Sequence, residues 1–478
     1  TCRDWSSDVC SSDLLDDVIR YCLPEIFSVF GYDRFQAYTV KFTRDAELDI
    51  DNDVSKSFIE RMSESLKKRK KGVPVRFVYD KGMPEELLDK LKRRMKITEK
   101  DTLRAGSRYH NFKDFIKFPY LPDPRFYFEP FPPLPHPQLA NNESILAAIR
   151  RKDIMLHYPY QSFQYITDLL REASIDPQVQ EIKMTFYRAA KESSVINALI
   201  NAARNGKKVT VFLELQARFE EEVNIYWANR LQEEGVRNIP NIPDFKVHAK
   251  LLLIRRIEND ESEVLYANVS TGNFNESTAN VYADDSLLTS DPRITRDVEN
   301  VFRLFESRYI PPEFSHLVVA PFEVRNFMLK MLNTEIRNAK AGKESWVILK
   351  INSIVDSVIA QKVYEAAQTG VKVRMIVRGI CMLKPGIPGF SENIEAISIV
   401  ERFLEHSRVF VFCKGGRNKY FTSSADLMPR NLDHRIEVIC PIFDRAIQQE
   451  LMHMLRIELS DNTKARLLHD GRDRKSVV

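Results

Sequence analysis

Two histidines stand out for their neighbours. His248-Ala249-Lys250 leads directly into the apolar stretch Leu251–Ile254, and His406-Ser407-Arg408 leads into Val409–Phe412. Along an extended strand alternate side chains share a face, so each histidine points the same way as the cation two residues on. An imidazole is substantially neutral near pH 7 and can attack phosphorus, while an adjacent cation neutralises nonbridging oxygens. A single such pair would read as structural. Two of them, 158 residues apart and each opening a strand, read as halves of one site for phosphoryl chemistry.

Other residues fit the same chemistry. Arg188 follows the predicted strand Ile182–Tyr187, Arg218 follows Val209–Leu215, and Arg378 ends Val373–Val377. Ligands of open α/β sheets bind beyond the carboxyl ends of strands, and guanidinium forks grip phosphate oxygens there. The turn Ser270-Thr271-Gly272-Asn273-Phe274-Asn275 follows the predicted strand Glu263–Val269. Its glycine permits close backbone approach to a ligand, and its Ser, Thr and Asn side chains, Asn273 among them, offer hydrogen bonds to phosphoryl oxygens. No G-x-x-x-x-G-K-[ST] string occurs, so any nucleotide is held without a P-loop.

The elements that must position these residues occur twice. Ala202-Ala203-Arg204-Asn205-Gly206-Lys207-Lys208-Val209 is echoed by Ala366-Ala367-Gln368-Thr369-Gly370-Val371-Lys372-Val373, each a helix end, a Gly stop and a strand. The His-x-basic strands follow in both copies, and Ser270-Thr271-Gly272-Asn273 corresponds to Ser423-Ser424-Ala425-Asp426. Apolar runs alternating with helical segments predict strand–helix–strand units, so two homologous α/β domains are expected, 135–314 and 315–470. A proline-rich connector, Pro130, Pro132, Pro133, Pro135 and Pro137, separates them from a mixed α+β head domain at 15–134. In the head, Tyr38–Phe42 and Val75–Tyr79 read as strands and Val54–Lys71 as a helix ending in the basic run Lys67–Lys71.

Length and composition set the outer limits. The 478 residues are 44% hydrophobic and 29% charged, which is globular and not disordered. The formal net charge of +4 is too small to indicate nucleic acid as a partner. No apolar run reaches membrane-spanning length, and the six cysteines form no C-x-x-C pair, so a cytoplasmic protein is expected. Thr1–Leu14 and Gly471–Val478 lack initiator, signal or fold patterning and are read as a non-native leader and tail.

A His-x-basic strand followed by a small polar turn, twice per chain, resembles the phospholipase D superfamily, in which two half-sites meet at a pseudo-twofold axis and one histidine becomes phosphorylated. Gly272-x-x-Asn275 fits that superfamily's turn, and Ser423-x-x-Asp426 fits it loosely. Its phospholipases usually carry Asp five residues after the Lys, where this chain has Arg255, and the second copy has Arg408 in place of Lys. These departures argue against ester hydrolysis.

The longer strings are more specific. His157-Tyr158-Pro159-Tyr160-Gln161-Ser162-Phe163, Tyr187-Arg188-Ala189-Ala190-Lys191, Glu214-Leu215-Gln216-Ala217-Arg218-Phe219, Lys246-Val247-His248-Ala249-Lys250, Thr271-Gly272-Asn273-Phe274-Asn275 and Val377-Arg378-Gly379 together resemble the long-chain bacterial polyphosphate kinase family. The resemblance runs from about Asp16 to His469 and implies an ATP:polyphosphate phosphotransferase working through a phosphohistidine. It implies that His248 is the phosphorylated residue and His406 a second essential histidine, an ATP contact and acid/base. It implies ATP contacts at Tyr282 and Arg378, and a magnesium–phosphate site at Arg188 and Arg218. Guanidinium has no lone pair for a metal, so Arg188 and Arg218 are read as clamps on the phosphates that hold Mg2+. The implied partners are ATP, ADP and inorganic polyphosphate, with self-association into a dimer or tetramer and peripheral membrane association as a further alternative. Relative to the family the chain is expected to begin inside the head domain, truncated of an amino-terminal helical domain. The competing readings are a phospholipase D-like phosphodiesterase or nuclease and an inactive polyanion-binding fragment.

Overall fold

The computed structural model describes residues 15–44, 74–95, 97, 102–109, 123–140, 144–215, 217, 220–239, 242, 245–306, 313–469 and 473–476. The helix expected over Val54–Lys71, with its basic run, the leader, most of the tail and Arg218 lie outside these residues. The chain divides into two compact units, Thr1–Pro130 and Phe131–Val478.

In the first unit three strands, Val40–Arg44, Pro74–Asp80 and Thr102–Gly106, form a sheet in chain order. The first pair is antiparallel and the second parallel. Helix Glu85–Met95 places Leu88 against Phe77 and Met83 in a small core.

The second unit holds two sheets of matching topology. The first takes β1 (Ile154–Tyr158), β2 (Val179–Phe186), β3 (Lys208–Leu213), β4 (Arg237–Ile239), β6 (Lys250–Ile257), β7 (Glu263–Ser270) and β8 (Tyr282–Thr289). The two-residue strand between β4 and β6, β5 (Lys246–Val247), belongs to the other sheet. That sheet takes β9 (Val318–Ala320), β10 (Trp346–Ile351), β11 (Lys372–Val377), β12 (Ile394–Ser398), β14 (Val409–Phe412), β15 (Lys419–Ser423), β16 (Arg435–Pro441), β17 (Arg466–His469) and β18 (Asp473–Ser476). Conversely β13 (Leu404–Glu405) joins the first sheet.

Each sheet has a parallel half, β2-β3-β4 or β10-β11-β12, continued by antiparallel strands, β6-β7-β8 or β14-β15-β16. Crossover helices explain the near-continuous apolar strands, since a sheet covered on both faces has no solvent side. Leu251, Leu252, Leu253 and Ile254 on β6 are all buried, as are Val409–Phe412 on β14. Helix Pro292–Glu306 presents Ile294, Val298, Val301, Phe302 and Phe305 as one buried stripe. A single core cluster crosses from one sheet to the other, joining Ala249, Leu251, Val269 and Leu287 with Val409, Val411, Val438 and Cys440. At about 1.5–3 kcal/mol for each fully buried aliphatic side chain, this shared core holds the two sheets in one register. The fold is α/β, with two sheets of matching topology in the second unit. Among the described residues no helix is long and apolar enough to cross a membrane.

Candidate active site

The strand exchange builds the site. β5 pairs in parallel with β16, Lys246 opposite Arg435 and Val247 opposite Ile436. β13 pairs in parallel with β8, Tyr282 opposite Leu404 and Ala283 opposite Glu405. The residues that follow are locked in the same way: His248 and Ala249 both donate their backbone N–H to Ile436 O, at 2.9 and 3.0 Å. His406 and Ser407 donate theirs to Ala283 O, at 3.1 and 2.8 Å. Each histidine therefore faces an acid supplied by the other sheet.

His248 Nδ1 lies 2.9 Å from the Glu437 carboxylate, and His406 Nδ1 lies 2.8 Å from that of Asp284. Both acids are buried and held from behind by the small polar turns. Ser424 Oγ donates to Glu437 at 2.5 Å and Asn431 Nδ2 at 2.7 Å, while Thr271 Oγ1 donates to Asp284 at 2.7 Å. A carboxylate accepting at Nδ1 fixes the neutral tautomer with its proton there, which leaves the lone pair on Nε2. Gly272 is required by this packing, because a Cβ at that position would overlap the Asp284 carboxylate.

The cations also match. Lys250 Nζ donates to His248 O at 2.5 Å, and Arg408 donates to His406 O at 2.8 Å. Burial pushes His248 well below its ordinary pKa, and the charges of Lys250, Arg435 and Arg408 push it further. His406 is lowered too, by burial first and by Arg408 against the opposing pull of Asp284. Lys250 is pushed down to about 7, chiefly by burial. Burial raises Glu437, opposed by Lys250, Arg435, Ser424 and Asn431. Burial likewise works against Asp284, but His406, Thr271 and Arg408 bring it below the usual carboxylate range. Both imidazoles are thus neutral near pH 7 in a strongly cationic setting.

Aromatic rings border each histidine: Tyr187 meets His248 edge-on at 4.8 Å and Tyr282 meets His406 at 5.1 Å between centroids. Lys250, Arg188 and Arg435 all lie within about 6 Å of the Tyr187 ring. Arg188 Nε is buried and finds no hydrogen-bond partner among the described residues. Arg378 Nε donates to Asn352 Oδ1 at 2.8 Å, and Asn352 Nδ2 contacts His406 O at 3.4 Å. The structure thus brings His248, Lys250, Arg188, His406, Tyr282 and Arg378 to one locality.

The strand registers fix how the two halves correspond. The β7–β8 and β15–β16 registers, Ser270 opposite Ser286 and Ser423 opposite Ile439, align the turns with an offset of 153, so Asp426 corresponds to Asn273, as the matched four-residue strings suggest, and Gly272-x-x-Asn275 does not superpose on Ser423-x-x-Asp426. Asn275 instead caps helix Glu276–Ala279, accepting from the N–H groups of Ser277 and Thr278, and donates to Arg188 O. The position equivalent to Arg378 in the first half is Glu214, since Phe186 pairs with Leu213 as Ile351 pairs with Val377. The repeat therefore duplicates the strand and not the guanidinium.

Glu437 and Asp284 were missed from the sequence because they lie 189 and 122 residues from the histidines they contact. A signal was present: each stands 13 residues after the hydroxyl that holds it, Thr271 to Asp284 and Ser424 to Glu437.

Three family models match the chain in order: the polyphosphate kinase middle domain over residues 10–118, C-terminal domain 1 over 144–311 and C-terminal domain 2 over 317–477. The polyphosphate kinases of Vibrio vulnificus strain YJ016 and Escherichia coli strain K12 are each 48% identical to it, over 454 and 458 residues. Those alignments cover 95% of this chain and 65% and 66% of the relatives, so the chain spans slightly less than two-thirds of their length. The crystal structure of polyphosphate kinase from Porphyromonas gingivalis matches with a TM-score of 0.81 at 36% identity, covering 97% of this chain and 68% of that one.

Proposed function

Because the chain belongs to the polyphosphate kinase family, we propose that it reversibly transfers the terminal phosphoryl group of ATP, through a phosphohistidine at His248, to the end of an inorganic polyphosphate chain. The observation that carries this reading is the pair of buried, neutral imidazoles whose Nδ1 atoms are each occupied by a carboxylate from the opposite sheet.

His248 Nε2 attacks the γ-phosphorus, the bond to the bridging oxygen breaks, and ADP leaves with that electron pair. A terminal phosphate oxygen of polyphosphate then attacks the same phosphorus and releases the imidazole. Positive charge grows on His248 as the P–N bond forms, and Glu437 stabilises it. Lys250 and Arg188 neutralise the equatorial oxygens, as a loose phosphoryl-transfer transition state requires. Arg218 takes a share of that work in the same reading. His406, held by Asp284, protonates or deprotonates the departing or attacking oxygen through Nε2, while Tyr282 and Arg378 contact the nucleotide. The orphaned Nε of Arg188 supports an anion there.

Magnesium enters only with the nucleotide's phosphates. Among the described residues no group of three His, Cys, Asp or Glu side chains fits a metal ion, and Asp284, Glu437 and Asp426 already hold His406, His248 and Arg408. Arginine offers no lone pair, so the residues present do not fit direct ligation, and no step above passes through the ion. Self-association belongs to the proposal through family membership alone.

The test is ATP formation from ADP and polyphosphate, read by luminescence. The chain should produce ATP and the His248→Ala variant should not. Turnover of bis(p-nitrophenyl) phosphate without any ATP formation would favour a phosphodiesterase and overturn the proposal.

A further inference from the structure

The two half-sites correspond position by position. Lys250 stands where Arg408 does, Glu437 where Asp284 does, and Ser424 where Thr271 does. These exchanges preserve charge and hydrogen bonding. Among the positions that differ, as Glu214 does from Arg378, Asn273 occupies the place of Asp426.

Its partner Asp426 does a definite job. Its carboxylate receives Arg408 NH2 at 3.1 Å and Nε at 3.3 Å, and the backbone N–H of Asn352 at 3.0 Å. Although burial works against it, Arg408 holds Asp426 down at about 2, so this half-site contains a permanent, internally neutralised ion pair. In the other half Asn273 Oδ1 is buried with no hydrogen-bond partner among the described residues. Lys250 is buried as well, donates to the His248 carbonyl, and forms no ion pair within contact distance of a carboxylate among the described residues, although Glu437 and Asp284 attract it from further off. An unpaired buried ammonium is costly, and an incoming anion relieves that cost. At the Arg408 position of the other half-site Asp426 already supplies that neutralisation, although Arg378 nearby forms no ion pair among the described residues.

Building on the phosphotransfer reading above, we propose that Asn273 selects His248 over His406 as the phosphoryl acceptor, by withholding the carboxylate that would neutralise Lys250. Two imidazoles with the same orientation and tautomer thereby differ in the charge that faces them, and this amide adds to the difference made by Arg188 and Arg435 beside His248. Asn273 acts through the charge balance of its neighbours and is a specificity-determining residue.

The experiment uses phosphoramidate, a small phosphoryl donor that needs no nucleotide contacts: His Nε2 attacks phosphorus, the P–N bond of the donor breaks, and ammonia leaves. The intact chain and the Asn273→Asp and Asn273→Ala variants are treated with it, and acid-labile phosphate is located by tandem mass spectrometry. Wild type should carry the label on His248 and not on His406. Asn273→Asp should label about 100-fold more slowly, because it neutralises Lys250 and sets a like charge beside the incoming phosphoryl group. Asn273→Ala should slow labelling by about tenfold at most, the effect of one lost hydrogen bond. Equal losses in the two variants, or equal labelling of both histidines in wild type, would overturn the inference; the second observation needs no variant to fold. A wild-type chain that takes no phosphate from either phosphoramidate or ATP overturns the phosphotransfer reading, and this inference with it.

Discussion

Replacing Glu437 by Gln keeps the volume and neighbours of a fully buried side chain but removes the negative charge that His248 faces. The contact at Nδ1 is 2.9 Å, and Ser424 and Asn431 hold the carboxylate in place, so the geometry should survive the exchange. With charges spread over both groups, an imidazolium and a carboxylate centred about 4 Å apart interact by about 4 kcal/mol at an effective dielectric constant near 20. That energy is absent in the ground state, where the imidazole is neutral, and develops as phosphorus bonds to Nε2. At 1.36 kcal/mol per factor of ten, its loss slows phosphoryl transfer by about a thousandfold. A Gln amide can also donate to Nδ1 and drive the proton to Nε2, which removes the attacking lone pair and deepens the loss. Rapid-quench measurement of acid-labile label, with urea unfolding as a control for stability, checks this. A Glu437→Gln rate within tenfold of wild type would refute the assignment of Glu437 as the residue that orients and charges the nucleophile.

Three further outcomes follow from the same geometry. Gly272→Ala should push Asp284 away from His406 and lower turnover by at least about tenfold, the effect of one oriented hydrogen bond to a charged group; wild-type turnover in that variant would contradict the packing. Lys250 is cationic below about 7 and neutral above it, through burial together with Arg408 and Arg435 against Glu437 and Asp284, so kcat/KM should fall as pH rises through about 7. The acid limb, set by His248, should lie well below pH 6.5, and a profile that climbs through neutrality would be inconsistent with both assignments. Finally, burial would lower His157, but Asp285 at 2.7 Å and Glu450 at 3.4 Å outweigh it and push the imidazole up to about 9. The folded form then binds this proton more tightly than the unfolded chain, giving about 3 kcal/mol of stability that is complete below pH 6.5 and lost as pH rises through 9. Urea titrations across that window should show the loss in wild type and a flat response in His157→Gln.

The clustering of the candidate residues was legible in local strings because the proposed phosphoryl transfer needs residue types that stand out at short spacing. His248-x-Lys250 and His406-x-Arg408 each declare a shared strand face within three residues. The repeated helix end, Gly stop and strand around Gly206 and Gly370 likewise predicted the duplicated α/β halves, and β3 and β11 begin two residues after those glycines. What was not legible is what the strand exchange creates. Glu437 reaches His248 only because β5 leaves its own sheet to pair with β16, and Asp284 reaches His406 only because β13 does the reverse. Nothing in the periodicity of a two-residue strand announces its partner. The correspondence of Asn273 with Asp426 was also visible as a string, but its meaning depended on the register and on finding Arg408 paired and Lys250 not.

In the proposed reaction phosphorus becomes bonded to His248. The most direct measurement is to incubate the chain with ATP or long-chain polyphosphate, quench at high pH and map the phosphate by mass spectrometry. Phosphate is expected on His248, retained in base, lost in acid and absent from His248→Ala. ATP formation from ADP and polyphosphate that proceeds at full rate with no phosphate ever trapped on His248, or with the phosphate on a hydroxyl side chain and stable to acid, would contradict it.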